Sequence, residues 1–89
     1  MKSALLLQVY QKSASLTIRN EEHIKYSSGR TVVRAEIDVD TAAELPAVTG
    51  ISGKKLHQGS TALIITEGKL VILTGSGKWV DCSGNIVKE

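Results

Sequence analysis

Residues Ser60–Asp81, which read STALIITEGKLVILTGSGKWVD, decide the fold that this chain is expected to adopt. The stretch holds two apolar runs, Thr61–Thr66 and Leu70–Thr74, that are rich in Ile, Leu, Val and Thr, the composition typical of β-strands. Glu67–Gly68 lies between them at the length of a two-residue hairpin loop, and its glycine accepts the positive φ that such loops require. The sequence therefore predicts a central antiparallel hairpin.

The predicted hairpin is apolar on both faces. A two-residue loop sets a register in which one face carries Leu63, Ile65, Leu70 and Ile72, and the other carries Ala62, Ile64, Val71 and Leu73. Antiparallel sheets commonly keep one face in contact with water, so a second apolar face needs a cover. We expect a second copy of the chain to provide that cover, which makes the second of these two faces the predicted oligomer interface.

The composition predicts a single small domain with a thin aliphatic core. The 89 residues include no Phe, one Trp and two Tyr, although aromatic side chains bring the largest buried area per residue. A chain of this length also hides only a modest share of its surface on folding. Support from self-association is therefore expected.

Charge and cysteine content narrow the possible partners. Eleven basic and nine acidic residues leave a net charge of +2 with no concentrated basic run, so nucleic acid is an unlikely partner. A lone cysteine, Cys82, excludes an internal disulfide, and we interpret it as a partly buried packing residue. No apolar run approaches the length of a membrane span, and the short run Ala4–Leu7 favours a first strand over a signal peptide.

The N-terminal part, residues 1–40, predicts β-hairpins. Ala4–Tyr10 and Ala14–Arg19 are expected to pair, and the polar residues Asn20–His23 are expected to form a loop. A turn is predicted at Ser27–Arg30. Thr31–Asp40 then alternates strictly, with Val33, Ala35, Ile37 and Val39 on one face.

Residues 41–59 predict a short helix followed by the longest loop. Asp40 or Thr41 can cap a helix over 41–45, and Pro46 ends it. Ala47–Gly59 has no periodic apolar pattern, and long loops are where function commonly resides.

The last part, residues 60–89, adds a Trp strand and an edge strand to the central hairpin. Gly75–Lys78 is a turn that leads into Trp79, and Ser83–Asn85 is a turn before the expected edge strand Ile86–Val87. Taken together, the chain predicts a mainly β fold in which antiparallel hairpins form a small sandwich or an open barrel, with one short helix.

No motif predicts catalysis, a cofactor or a metal site. Gly50–Lys55 and Gly75–Lys78 lack the spacing of a phosphate-binding Walker loop and are interpreted as glycine turns. His23, His57 and Cys82 are far apart in the sequence and do not have the spacing of metal ligands. We therefore expect a protein that is not an enzyme.

One small surface is a candidate for ligand binding. Trp79 follows a Gly-Ser-Gly-Lys turn and could present its ring to a ligand near Lys54, Lys55 and His57. The opposing interpretation, which we favour, is that Trp79 closes one end of the hairpin core, because it is the only large aromatic residue available there.

Residues 44–81 also carry a series of short motifs: ELP at 44–46, GSTALI at 59–64, GKLVIL at 68–73 and GKW at 77–79. This pattern resembles that of short phage-encoded structural proteins found among head and tail morphogenesis proteins, in which a Trp strand closes a hairpin. The resemblance implies a non-catalytic virion or prophage accessory protein that acts as a multimer, in the virion or in the cytoplasm of a bacterial host. The expected partners are copies of the chain itself, in a cyclic assembly such as a trimer, and other phage head or tail proteins, with no membrane association.

Two other functions remain open at this stage. The first is a monomeric binding module, a small β-barrel that holds a peptide, a sugar or a nucleic acid at Ala47–Gly59 and buries the second hairpin face by closure. The second is an enzyme, which would require His57, Asp81 and Cys82 to meet in one deep cleft.

Overall fold

The chain folds into one seven-stranded, mostly antiparallel sheet in a computed structural model that describes residues 16–51 and 53–89. The strands are β1 (Thr17–Ser27), β2 (Arg30–Val39), β3 (Lys55–Leu56), β4 (Thr61–Ile64), β5 (Lys69–Leu73), β6 (Trp79–Asp81) and β7 (Ile86–Lys88). Their order across the sheet is β1-β2-β4-β5-β6-β7, and β3 also pairs with β2. The predicted mainly β fold is confirmed, and the sheet is not closed into a barrel.

β1 and β2 form a long hairpin with a tight turn at Ser28–Gly29. Both turn residues have positive φ, 55° and 79°, as a two-residue loop of the type I′ class requires, so the turn predicted here is confirmed. The loop expected at Asn20–His23 is wrong, because these residues lie inside β1. An edge strand tolerates polar side chains, and Glu22 pairs with Arg34 of β2 at 2.8 Å. The strand expected at Ala4–Tyr10, with its pairing, lies outside the described residues.

β2 joins the two halves of the sheet. Val33, Ala35, Ile37 and Val39 are buried along one face, as predicted. β2 is antiparallel to β1 on one side, and on its other side it runs parallel first to β3 and then to β4. The two parallel pairings were not predicted. They require a crossover that carries the chain from the end of β2 back to the edge of the sheet at which β2 begins.

The described part of the crossover, residues 40–51 and 53–54, covers the inner face of the sheet. It starts with a 3-10 turn at Ala42–Glu44, which is shorter than the helix expected over 41–45. The Glu44 carboxylate accepts the backbone N–H groups of Asp40 and Thr41 at 3.1 and 3.0 Å. Leu45 and Ile51 of the crossover are buried, so this segment supplies apolar cover from within the chain.

The central hairpin exists, but its turn is longer than predicted. Ile65–Glu67 form a 3-10 turn after β4, and Gly68 follows with a φ of 60°. Leu63 therefore lies opposite Leu70 instead of Ile72, a shift of two residues. Because side chains alternate with a period of two, this shift leaves each strand residue on its predicted face.

The predicted oligomer interface is wrong, because its four residues lie at the centre of the core. Ala62, Ile64 and Val71 are fully buried, and Leu73 is 2% exposed. They pack with the inner face of β2, with the crossover and with Trp79. The prediction treated the hairpin as an isolated ribbon, whereas β2 and the crossover cover this face from the same chain.

The turn between β6 and β7 depends on Asp81. Its Oδ1 accepts the backbone N–H groups of Asn85 and Ser83 at 2.9 and 3.0 Å. The hydrogen bond from Asn85 above all, joined by that from Ser83 and by the charge of Lys69, lowers the pKa of this carboxyl below its usual value. The turn and the edge strand predicted after it are confirmed.

Ser60 fills the gap between β3 and β4 along the edge of β2. Its hydroxyl is buried; it donates to the backbone carbonyl of His57 at 2.8 Å and accepts the backbone N–H of Ala35 at 3.1 Å. The side chain thereby supplies the acceptor that β2 lacks where its parallel partner changes from β3 to β4.

We expect Ser60→Ala to lower the free energy of unfolding by about 1–3 kcal/mol, because the buried N–H of Ala35 loses its acceptor. Urea unfolding followed by circular dichroism measures the change. Ser83→Ala, which alters an exposed side chain, is the control and should stay within about 0.5 kcal/mol of the parent chain. Equal effects of the two substitutions would contradict the role given to Ser60.

Candidate functional site

The outer side of the sheet is apolar over the half that β4–β7 form. Leu63 lies opposite Leu70, Ile72 lies opposite Val80, and Val80 lies opposite Ile86. Because directly paired residues point to the same side of a sheet, these five side chains share the side that faces away from the core. We refer to them as the outer apolar face.

Much of the outer apolar face is accessible to water. Ile86 is 51% exposed, Leu70 is 42% exposed and Ile72 is 36% exposed. On the same side, β2 carries the charged residues Glu36 and Asp38 opposite β4. The exposed apolar surface thus belongs to the first of the two predicted hairpin faces, and the second face, which was expected to meet a partner, is the buried one.

Cys82 lies beside the outer apolar face. Its thiol is exposed, and Sγ is 3.9 Å from the carbonyl oxygen of Leu70. The interpretation of Cys82 as a partly buried packing residue is therefore wrong.

A second candidate is a pocket of about 430 Å³ where the β1–β2 turn, β3 and the β5–β6 turn meet. Its apolar lining comes from Val32, Val48, Leu56 and Leu73. Three of these are buried and Val48 packs against the core, so they form the floor. The volume falls in the range typical of small-molecule sites.

Cations line this pocket, and no carboxylate among the described residues does. The cationic or titratable groups are Lys25, Arg30, Lys55 and His57. Nδ1 of His57 is 2.8 Å from the backbone carbonyl oxygen of Gln58. Since a carbonyl only accepts, Nδ1 carries the hydrogen and Nε2 is left for other partners.

None of the lysine and arginine side chains that line the pocket has a partner among the described residues. Within the described residues, Lys25, Arg30 and Lys55 have no ion pair and no side-chain hydrogen bond, whereas most other described cations do. The partnered cations are Arg19, Arg34, Lys54, Lys69 and Lys88. Lys78 is likewise without a partner in the described part of the chain, but it does not line the pocket.

The four residues that the sequence suggested as a ligand surface lie in three different environments. Lys55 and His57 line the pocket. Lys54 instead pairs with a glutamate of β1 at 2.8 Å. Trp79 is 1% exposed, and its indole N–H donates to the carbonyl of Pro46 at 2.9 Å. The interpretation of Trp79 as a ligand platform is therefore wrong, and its interpretation as a core residue is confirmed.

Sequence reasoning missed Lys25 and Arg30. The only local signal was that Lys25 and Arg30 lie on either side of the Ser28–Gly29 turn. What brings them near Lys55 is the parallel pairing of β2 with β3, in which Val32 lies opposite Lys55. That pairing joins segments that are distant in the chain and leaves no short-range pattern in the sequence.

The requirement set for an enzyme is not met by this pocket. His57 lines it, whereas Asp81 and Cys82 do not. Across residues 16–51 and 53–89, no three His, Cys, Asp or Glu side chains are grouped so that they could hold a metal ion. The described part of the chain also contains no helix with the length and apolar character needed to cross a membrane.

Comparison of the chain with protein-family models, with curated proteins and with solved structures gives no match.

Proposed function

We propose that this chain is a non-catalytic structural protein of a phage or prophage that works as a homo-oligomer, in the virion or in the cytoplasm of the bacterial host. The observation that carries the proposal is the outer apolar face: five aliphatic side chains on one side of four neighbouring strands, three of them more than a third exposed. Aliphatic surface of this kind marks an interaction site more often than a solvated face. The pattern at residues 44–81 supports the phage assignment.

The occupant we propose for this face is a second copy of the chain. The face carries only aliphatic side chains, so two copies match each other without burying an unpaired charge. In a closed symmetric oligomer, the same patch meets itself or a patch on the next copy. Covering a few hundred Å² per copy contributes on the order of several kcal/mol before the cost of association, which is comparable with the stability of a whole small domain.

Other phage head or tail proteins are the further partners that this function implies. Glu36 and Asp38 of β2 border the outer apolar face along the edge next to β4, where they form part of a polar rim for the contact. A trimer is one cyclic form that is compatible with this proposal, and the measured mass of the assembly gives the number of copies.

We expect Leu70→Ser combined with Ile72→Ser to convert the oligomer into a folded monomer, because these substitutions make the centre of the outer apolar face polar. Light scattering coupled to size-exclusion chromatography, from about 1 to 100 μM protein, measures the mass against that of one 9.5 kDa chain. The matched control is Asn20→Ser combined with Glu22→Ser, two exposed residues of the edge strand β1 on the same side of the sheet, which should keep the parent mass.

Two results would overturn the oligomer. One is a parent chain that stays monomeric at about 100 μM; the other is an oligomer whose mass the Leu70 and Ile72 substitutions leave unchanged. The phage assignment has its own test, since we expect genes for capsid, portal or tail proteins beside the coding sequence. Neighbouring genes of unrelated function would argue against a virion role without affecting the oligomer.

The second candidate function is a monomeric binding module, and the pocket favours it. Val48, Thr49 and Lys55–Gln58 line the pocket, and all belong to the Ala47–Gly59 segment that the sequence marked as a ligand region. Closure into a barrel does not explain the burial of the hairpin, because the described sheet is open. A peptide, sugar or nucleic acid would occupy the pocket instead.

A further inference from the structure

We propose that the pocket binds a small ligand that carries a phosphate group. This inference does not depend on the oligomer or on the phage assignment, because the pocket is lined by residues outside the outer apolar face. It rests on three observations: the pocket's shape, the charges that converge on it, and the absence of partners for those charges among the described residues.

The charges around the pocket favour an anion. Three of the four described cations that lack any partner, Lys25, Arg30 and Lys55, converge on this one pocket, which no described carboxylate lines. The whole chain has a net charge of only +2, so these three charges are a local concentration and not part of a generally basic surface. Like charges brought together repel one another, and an anion between them removes that repulsion.

The number of cations in the pocket favours a phosphate over a carboxylate. One carboxylate carries a single negative charge, whereas a phosphate monoester carries about −1.5 to −2 at neutral pH. Three cations match the larger charge better. The guanidinium of Arg30 offers paired N–H donors to two oxygens of a phosphate, and the two ammonium groups act as point charges beside it. Ser27 and Ser28 add hydroxyl groups to the lining, and these donate to the remaining phosphate oxygens.

The floor of the pocket determines which group beside the phosphate fits. The floor of the pocket is aliphatic, from Val32, Leu56 and Leu73 together with Val48, so it suits a small apolar or sugar-like group attached to the phosphate. Among the residues that the structure describes, no Trp, Tyr or Phe lines the pocket, so the described lining offers the bases of a nucleic acid no ring of those residues on which to stack. A small phosphate monoester therefore fits better than a nucleic-acid strand.

The test uses phenyl phosphate and inorganic phosphate as probes, with nuclear magnetic resonance of ¹⁵N-labelled full-length protein as the readout. We expect saturable shifts of the backbone amide signals of residues that line the pocket, among them Lys55, Gln58 and Gly77. Phenyl phosphate should bind more tightly than inorganic phosphate, because its ring contacts the apolar floor. Benzoate, which pairs a similar ring with a carboxylate, should bind at least about tenfold more weakly than phenyl phosphate.

The variants separate the pocket from general surface charge. Arg30→Gln and Lys55→Gln should each weaken phenyl phosphate binding by about tenfold or more. Lys78→Gln is the matched control, since it removes the same charge from a residue that also has no partner in the described part of the chain but lies outside the pocket. It should leave the affinity within about twofold. Arg30 and Lys55 are exposed and Lys78 is half-buried, and unchanged amide spectra confirm that each variant is folded.

Several outcomes overturn the proposal. Shifts spread over the whole surface, or an equal loss in Lys78→Gln, would show only diffuse attraction of anions. Benzoate that binds as tightly as phenyl phosphate would make the site a carboxylate site. A single-stranded DNA oligonucleotide that binds while phenyl phosphate does not would identify a nucleic-acid surface instead. Absence of any saturable shift at about 20 mM phenyl phosphate and low salt would also reject the site.

Discussion

Trp79→Ala is expected to lower the free energy of unfolding by about 3–5 kcal/mol. Trp79 is the largest fully buried side chain, at 1% exposure, and its indole N–H donates to the carbonyl of Pro46 in the crossover. Its removal leaves a cavity between β6 and the crossover and deprives that carbonyl of its donor. Small domains are stable by only about 5–15 kcal/mol, so this loss removes a large share of the stability and should clearly lower the urea midpoint.

Urea unfolding at one fixed protein concentration measures this effect. Trp79→Phe provides the comparison, because it keeps most of the ring volume but cannot donate the hydrogen bond, and we expect a loss of about 1–3 kcal/mol. If Trp79→Ala lowered the free energy of unfolding by less than Trp79→Phe does, this residue would not hold the crossover to the sheet.

Ile64→Lys is expected to prevent folding, whereas Ile72→Lys is expected to leave the fold intact. Ile64 is fully buried among the inner residues of the sheet, and Ile72 is 36% exposed on the outer apolar face. A lysine at position 64 places an unpaired charge in the core, which costs several kcal/mol. At position 72, the charged end of the long side chain reaches water. The free energy of unfolding of one protomer should therefore change by no more than about 0.5 kcal/mol.

The pair is matched in residue type and lies on adjacent, directly bonded strands. Circular dichroism and the dispersion of amide signals report whether each variant is folded. Ile72→Lys should also weaken the oligomer, because it introduces a charge into the proposed contact. A folded Ile64→Lys protein together with an unfolded Ile72→Lys protein would reverse the assignment of the two faces and restore the interface predicted from the sequence.

Part of the fold could be predicted from the sequence pattern alone. The alternation in β2, the turn at Ser28–Gly29, and the short strands after Gly75 all follow from local rules: β-branched residues favour strands, and glycine accepts a positive φ. The grouping of hairpin residues into two faces also survived a two-residue error in register, because faces repeat every two residues. Local sequence was therefore sufficient to predict the mainly β class and the face of each hairpin residue that lies in a strand, whereas Ile65, predicted on the first face, lies in the 3-10 turn.

Sequence alone did not reveal which face is inside. Both faces of the hairpin are aliphatic, so hydrophobic periodicity carries no information about their orientation. Orientation came from the placement of β2 beside β4 in parallel and from the crossover, whose Leu45 and Ile51 cover Ile64 and its neighbours. Non-local pairing of this kind depends on the total burial of the whole chain and is not encoded in any short segment.

The pocket illustrates the same limit for the candidate site. Lys55 and His57 were recognised because they lie in a long loop, but Lys25 and Arg30 became part of the site only when β3 paired with β2. The sequence by itself determined the strands, the turns and the side chains that share a face, because these depend on backbone preference and a period of two. The tertiary structure alone decided which aliphatic face meets water and which cations converge, because both depend on contacts between segments that are far apart in the chain.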